Sequence, residues 1–252
     1  MIIVCGDSFT CDNLIIEPYP DYDYNFPKWT ACINAPVKNL AQSGLDNRSM
    51  INSAIEEILI NNDVSKVIIA LGNWYRFTLP HAIVDPEWAY YNNGFALEND
   101  YMTWLKGSKY MKVNYEFNID YCNNYNWHIS NPDVMRFSIN QTLVSILNLY
   151  EICKSNNIIL DVFQLLKPIR KTDIKLYELF ITELVNNKFY QKLDSIDNSE
   201  MFKLMCWPFF DDMGGECAQS ILDSSHKVGK LDGHPNRKGH EMIGAWYNEN
   251  ST

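Results

Sequence analysis

The chain has 252 residues, of which 46% are hydrophobic, and 21 Lys and Arg stand against 31 Asp and Glu for a formal net charge of −10. That composition supplies the core of one large domain and excludes a disordered chain; the acidic balance excludes non-specific nucleic-acid binding and adhesion to anionic membranes, which need clustered cations. No apolar run reaches the roughly 18 residues of a spanning helix, and the opening MIIVCGDSFT lacks the basic region of a signal peptide, so the expected location is cytoplasmic.

The first predicted element is a strand over residues 1–5, apolar and β-branched enough to be buried on both faces and broken by Gly6-Asp7-Ser8. A weaker strand over 37–41 ends at Ser43-Gly44. After it, Asp46 or Ser49 can cap a helix whose Met50, Ile51, Ala54, Ile55, Ile58 and Leu59 recur at helical spacing. A third strand, 66–71, ends at Gly72. The stripe of Ile139, Leu143, Ile146, Leu147, Tyr150 and Cys153 predicts a helix over 133–156. A strand over 158–166, a helix over 174–185, a strand over 202–206 and a helix over 237–247 complete the series. Buried strands alternating with amphipathic helices imply a single α/β domain over 1–252, with a parallel sheet between two helix layers. Ligands of such sheets bind beyond the carboxyl ends of the strands, where the turns at Ser8, Gly44 and Gly72 gather.

Residues 81–132 break the alternation. They hold twelve aromatic residues from Trp88 to Trp127 without a sustained period, which reads as an insertion after the third strand. Its aromatics can stack on sugar rings, cover the site as a lid, or form a small core of their own. The seven cysteines are odd in number and never spaced C-x-x-C, consistent with small buried hydrophobes in a reducing compartment. No His and carboxylate pairs have metal-ligand spacing and no phosphate-binding loop is present, so no metal or cofactor is expected. His81, His128 and His226 read as surface or hydrogen-bonded residues, and His240, six residues after His234, as a residue that begins the last helix.

The chemistry-bearing residues lie at the two ends. Ser8 follows the first strand, and Asp232-Gly233-His234-Pro235-Asn236 precedes the last helix. A serine hydroxyl needs a base to become a nucleophile at neutral pH. His234 can take its proton while a carboxylate, for which Asp232 is nearest, fixes the other ring nitrogen.

These motifs, in this order, resemble those of the SGNH (GDSL-type) hydrolases. Gly6-Asp7-Ser8-Phe9 matches the G-D-S block, Asn39-Leu40-Ala41-Gln42-Ser43-Gly44 the glycine block, Gly72-Asn73 the G-x-N block and Asp232-Gly233-His234-Pro235 the D-x-x-H-P block. The resemblance spans nearly the whole chain, apart from the aromatic insertion. It implies a flavodoxin-like three-layer α/β/α fold and an acyl-enzyme on Ser8. It also implies an oxyanion held by the N–H groups of Ser8 and Gly44 and the side chain of Asn73. Asp7, Trp74 and Arg76 become candidates for substrate contact. Asp7 is alternatively a positioning residue, and Arg76 either meets an anionic part of the substrate or is a solvated or helix-capping arginine.

Two departures from the pattern stand out. Asn73 directly follows Gly72, with Trp74 where the family asparagine belongs, so either the loop is one residue shorter and Asn73 still reaches in, or the third donor is lost. Asp-x-His replaces Asp-x-x-His, shortening the reach between carboxylate and ring by about 3.3–3.6 Å. The leading expectation is a serine esterase acting on a small acyl ester such as an O-acetyl group, on a carbohydrate if the aromatic segment binds sugar. Acyl transfer would use the same residues. The alternative is a non-catalytic binding or virion-associated module of the same fold, since the 28 asparagines and compact chain resemble phage-encoded members. Oligomeric state is not legible.

Overall fold

The computed structural model describes residues 1–12, 22–43, 45–74, 132–168, 174–196, 198–229 and 232–251. Five parallel strands, β1 (Ile2–Cys5), β2 (Val37–Asn39), β3 (Lys66–Leu71), β4 (Ile159–Gln164) and β5 (Phe202–Met205), form one sheet in the order β2-β1-β3-β4-β5. This is the flavodoxin-like order, with the switch point between β1 and β3. On one face lie α1 (Asn47–Ile60), α2 (Pro132–Ser155), α3 (Ile174–Val185) and α4 (Lys188–Asp194). On the other lie α5 (Arg237–Ser251) and a 3-10 turn over Trp29–Cys32. The expected three-layer α/β/α architecture is therefore present.

The strands alternate as period-two geometry requires. Ile3, Cys5, Val67, Ile69, Leu160 and Val162 pack on the α1–α4 side with Met50, Leu143, Ile146, Phe180 and Leu193. Val4, Ile68, Ala70 and Phe163 pack on the α5 side with Trp29, Ile243 and Tyr247. Because both faces are buried, the strands read as continuous apolar runs.

Element ends have local causes. Asp46, not Ser49, caps α1, accepting the Ser49 N–H at 2.7 Å. β2 stops at Asn39, two residues short of the expected end, where the Asn39 side chain accepts the Ala41 N–H at 3.1 Å and turns the chain. β5 stops at Met205 because Cys206 adopts a left-handed φ of 71°. α4 was not expected; Asn187 caps it through the N–H groups of Phe189 and Tyr190 at 2.9 and 3.3 Å, and its 7 residues are too few to show a period. Nor was a hairpin of β6 (Lys227–Gly229) and β7 (Asp232–Pro235), which makes the Asp-Gly-His-Pro segment an antiparallel strand.

One polar group inside an apolar strand is also informative. Asp161 lies fully buried in β4, its carboxylate 2.6 Å from Lys66 Nζ and accepting the Tyr247 hydroxyl at 2.7 Å. The last helix is thereby tied to the middle of the sheet.

Among the described residues, no helix is long and apolar enough to cross a membrane. Six described cysteines are free thiols; Cys122 lies outside the described residues, as do residues 81–131, which hold the aromatic insertion together with His81 and His128.

Candidate active site

The site forms where the sheet's carboxyl edge meets the hairpin. β1 ends at Cys5 and the chain closes at once into a turn, with the N–H groups of Thr10 and Cys11 donating to the Asp7 carbonyl at 2.9 and 3.0 Å. Gly6 is obligatory: a Cβ there would stand 2.4 Å from Thr10 Oγ1. The buried Asp7 carboxylate accepts the Phe9 N–H at 3.0 Å and so fixes the peptide that follows Ser8. That contact makes Asp7 a shaper of the Ser8 turn.

The loop after β2 is drawn against this turn. Leu40 N–H donates to Val4 O at 2.8 Å and Gln42 N–H to Gly6 O at 3.2 Å, while Asn39 Nδ2 donates to Thr10 O at 2.8 Å. Asn39 thus serves both the end of β2 and the serine turn, a role its place in the matched motif did not disclose.

From the other end of the chain, His234 arrives on β7. Its Nε2 stands 2.7 Å from Ser8 Oγ, across 226 residues of sequence. The Phe9 ring lies 4.9 Å, centroid to centroid, from the imidazole and packs on it at a tilt. Asn236 sets the hairpin's position: its Nδ2 donates to the carbonyls of Ser225 and Lys227 at 2.8 and 3.0 Å, and its Oδ1 accepts the Gly239 N–H at 3.0 Å as the cap of α5. Gly239 cannot be larger, because a Cβ would come within 2.3 Å of His226 O. Asp232 opens β7, two residues before His234.

Trp29 links the two ends. Its backbone N–H donates to His240 Nδ1 on α5 at 3.3 Å, and its indole N–H donates to Thr10 Oγ1 in the serine turn at 3.2 Å. His240 is 1% exposed, and its pKa is pushed down to about 3 by burial, then by the nearby Lys28 and His234 charges. It is a neutral buried bridge in the first turn of α5. Cys11, three residues after Ser8, is no rival nucleophile: burial and then the Asp7 charge push its thiol up to about 12.

The remaining expected residues fall in different places. Trp74, a candidate for substrate contact, is instead wholly buried, with its indole N–H donating to Gln164 Oε1 at 2.8 Å and its ring packed among Phe180, Phe209 and Phe210. An indole spent on the core cannot also meet a ligand. Asn73 is half-buried between Gly72 and Trp74. Gly44, Arg76 and the Asp232 side chain lie outside the described residues. No cluster of metal-ligating side chains occurs among the described residues.

No protein-family profile matches the chain, and no curated protein matches it. Its coordinates are similar to those of the lipase Lip_vut3 from a goat rumen metagenome, with 12% identity, coverage of 99% of this chain and 96% of that one, and a TM-score of 0.48. They are also similar to a protein of Desulfitobacterium hafniense DCB-2 described as lipolytic and of the G-D-S-L family, with 15% identity, coverage of 98% and 97%, and a TM-score of 0.46.

Proposed function

We propose that this chain is a serine ester hydrolase whose substrate is a small acyl ester, such as an O-acetyl group on a carbohydrate. The observation that carries the reading is the 2.7 Å contact between Ser8 Oγ and His234 Nε2, a nucleophile and base within hydrogen-bond reach at the ligand-binding edge of a parallel sheet. The carbohydrate rests on the twelve aromatic residues of the inserted segment.

In the reaction, His234 Nε2 accepts the hydroxyl proton as Ser8 Oγ bonds to the ester carbonyl carbon, and the carbonyl π electrons move to oxygen. The N–H groups of Ser8 and Gly44 and the side-chain amide of Asn73 hold that oxyanion; each such donor is worth about 3 kcal/mol in the transition state. Collapse of the intermediate breaks the bond to the alcohol, whose oxygen takes the proton from His234. Water then repeats the sequence and frees the acid from Ser8. Asp232 is the carboxylate that orients the ring and steadies the imidazolium; an Asp-x-His spacing suits a strand, whose period is two.

Turnover of p-nitrophenyl acetate tests the reading. Ser8→Ala is expected to abolish it, and equal rates in variant and wild type would refute the proposal. A fluorophosphonate probe should form a covalent adduct on Ser8; absence of labelling would favour a binding module. Product analysis with added sugar acceptors separates hydrolysis from acyl transfer.

A further inference from the structure

The loop after β3 lacks the residue that would separate glycine from asparagine in a G-x-N motif, and the structure shows how the shortened loop is held. The peptides on both sides of Asn73 are pinned: Gly72 O accepts Gln164 Nε2 at 2.8 Å, and Trp74 N–H donates to Pro168 O at 3.0 Å. One peptide earlier, Gly72 N–H donates to Asn47 Oδ1 at 2.8 Å. Trp74 is the anchor beyond, bonded to the same Gln164 side chain through its indole and to the Ser138 hydroxyl through its carbonyl. Gln164, fully buried, therefore holds the loop at two points, one on each side of Asn73.

Asn47 is harder to explain by stability. It is 2% exposed at the start of α1, and its Nδ2 has no acceptor among the described residues. A buried donor without an acceptor destabilises a fold, so the unmet Nδ2 offsets part of what the amide contributes by satisfying the buried Gly72 N–H. What the amide supplies is the bond to Gly72. The register of the sheet gives that bond its place: Cys5 pairs with Ile69, so Ser8 and Gly72 each lie three residues beyond paired positions on neighbouring strands.

We propose that Asn47 and Gln164 are positioning residues that clamp the N–H and carbonyl of Gly72 and the indole of Trp74 so that the Asn73 amide meets the oxyanion despite the missing loop residue. The inference rests on the ester-hydrolase reading above. In it, Trp74 occupies the core to brace the loop, and catalysis belongs to the residue before it.

The test is a double-mutant cycle on p-nitrophenyl acetate hydrolysis, with Ser8→Ala as reference. Asn73→Ala should lower kcat about 10²- to 10³-fold. Asn47→Ala should lower kcat by about tenfold or more with KM within about twofold, and should add almost nothing in the Asn73→Ala background, because residues acting through one another are not additive. Independent, multiplicative effects of the two substitutions would overturn the clamp while leaving the esterase reading intact. Ser8→Ala at the wild-type rate would instead overturn the esterase reading and the clamp with it. Hydrogen exchange on the wild-type chain decides the matter should Asn47→Ala not fold: the Gly72 amide, which donates to Asn47, is expected to be strongly protected, and free exchange there overturns the proposal.

Discussion

On the α1–α4 face of the sheet, strand residues such as Ile3, Val67, Ile69 and Val162 pack into a cluster of apolar side chains from four helices. On the α5 face, the apolar contacts of Val4, Ile68 and Phe163 are joined by directional bonds: Asp161 to Lys66 and Tyr247, Trp29 to His240 and to Thr10, and Asn248 Nδ2 to Cys32 O. Apolar packing tolerates small slides, because its energy follows area and not angle. Hydrogen bonds do not. The second face is the one that brings in β7 and His234, where a shift of an ångström would break the 2.7 Å contact with Ser8 Oγ. The α5 layer therefore aligns the hairpin that carries His234, while the α1–α4 layer supplies most of the cohesion and holds the loop after β3 through Asn47, Gln164 and Trp74.

The largest contrast should come from one substitution on each side. His234→Ala is expected to lower ester turnover by about 10⁴-fold or more, with little change in melting temperature. Ile146→Ala, at a fully buried position on α2, should cost about 2–5 kcal/mol in urea denaturation and leave kcat per folded molecule unchanged. Should Ile146→Ala depress kcat as strongly as it depresses stability, the division between the faces fails.

The two faces also differ in how much of them could be read beforehand. The α1–α4 face is built from long periodic helices and apolar strands, and its expected cores at Met50, Ile51, Leu143 and Ile146 are where the packing lies. The alignment face depends on single polar contacts between residues far apart in the chain. Asp161 sits inside the run ILDVFQ as one polar residue, and nothing local says that its partners are 95 and 86 positions away at Lys66 and Tyr247. Gln164, at the end of the same run, likewise shows nothing local of its bonds to Gly72 and Trp74, although a polar residue closing a buried strand is itself a signal. The meeting of Ser8 and His234 was legible because an ester-hydrolase reading asks for those residue types, whereas Asn47 and Asn236 bond to backbone groups and Trp29 bridges two side chains far apart in the chain, none of which a motif announces. An aromatic beside a motif looks like a ligand contact until its burial is known, and Trp74 is wholly buried.

Asp161 offers the next sharpening. Asp161→Ala removes the buried carboxylate and leaves Lys66 and the Tyr247 hydroxyl without it. Breaking such a buried pair typically costs about 3–5 kcal/mol. If α5 aligns His234, kcat should fall too, in contrast to Ile146→Ala. A loss of stability of that size with kcat intact would make Asp161 a packing residue like any on the other face.

The His240 bridge adds a pH test. Its imidazole is held neutral far below the usual range, down to about 3, first by burial. The unfolded chain takes up a proton at this residue below its ordinary value of about 6.5, so its contribution to stability is complete above that pH and drains away as pH falls toward 3. At pH 5 the loss is about 2 kcal/mol by linkage. His240→Asn, which keeps an acceptor for the Trp29 N–H, should remove this share of the difference between urea denaturation at pH 7 and at pH 5. An unchanged difference would mean that the acid sensitivity arises elsewhere.

The smallest effects separate the faces most finely, because the same residue type caps a helix on each. Asn187 caps α4 on the cohesive side, and Asn236 caps α5 on the aligning side. Loss of a cap costs about 1 kcal/mol, so Asn187→Ala and Asn236→Ala should shift urea midpoints by similar amounts. Only Asn236 also holds the carbonyls of Ser225 and Lys227, and so the hairpin that carries His234. Asn236→Ala should therefore lower kcat by about tenfold, or about 1.4 kcal/mol in activation free energy, where Asn187→Ala leaves it within error. Equal kcat in the two variants would show that the hairpin keeps its place without Asn236, and alignment would then have to come from Trp29 and Asp161 alone.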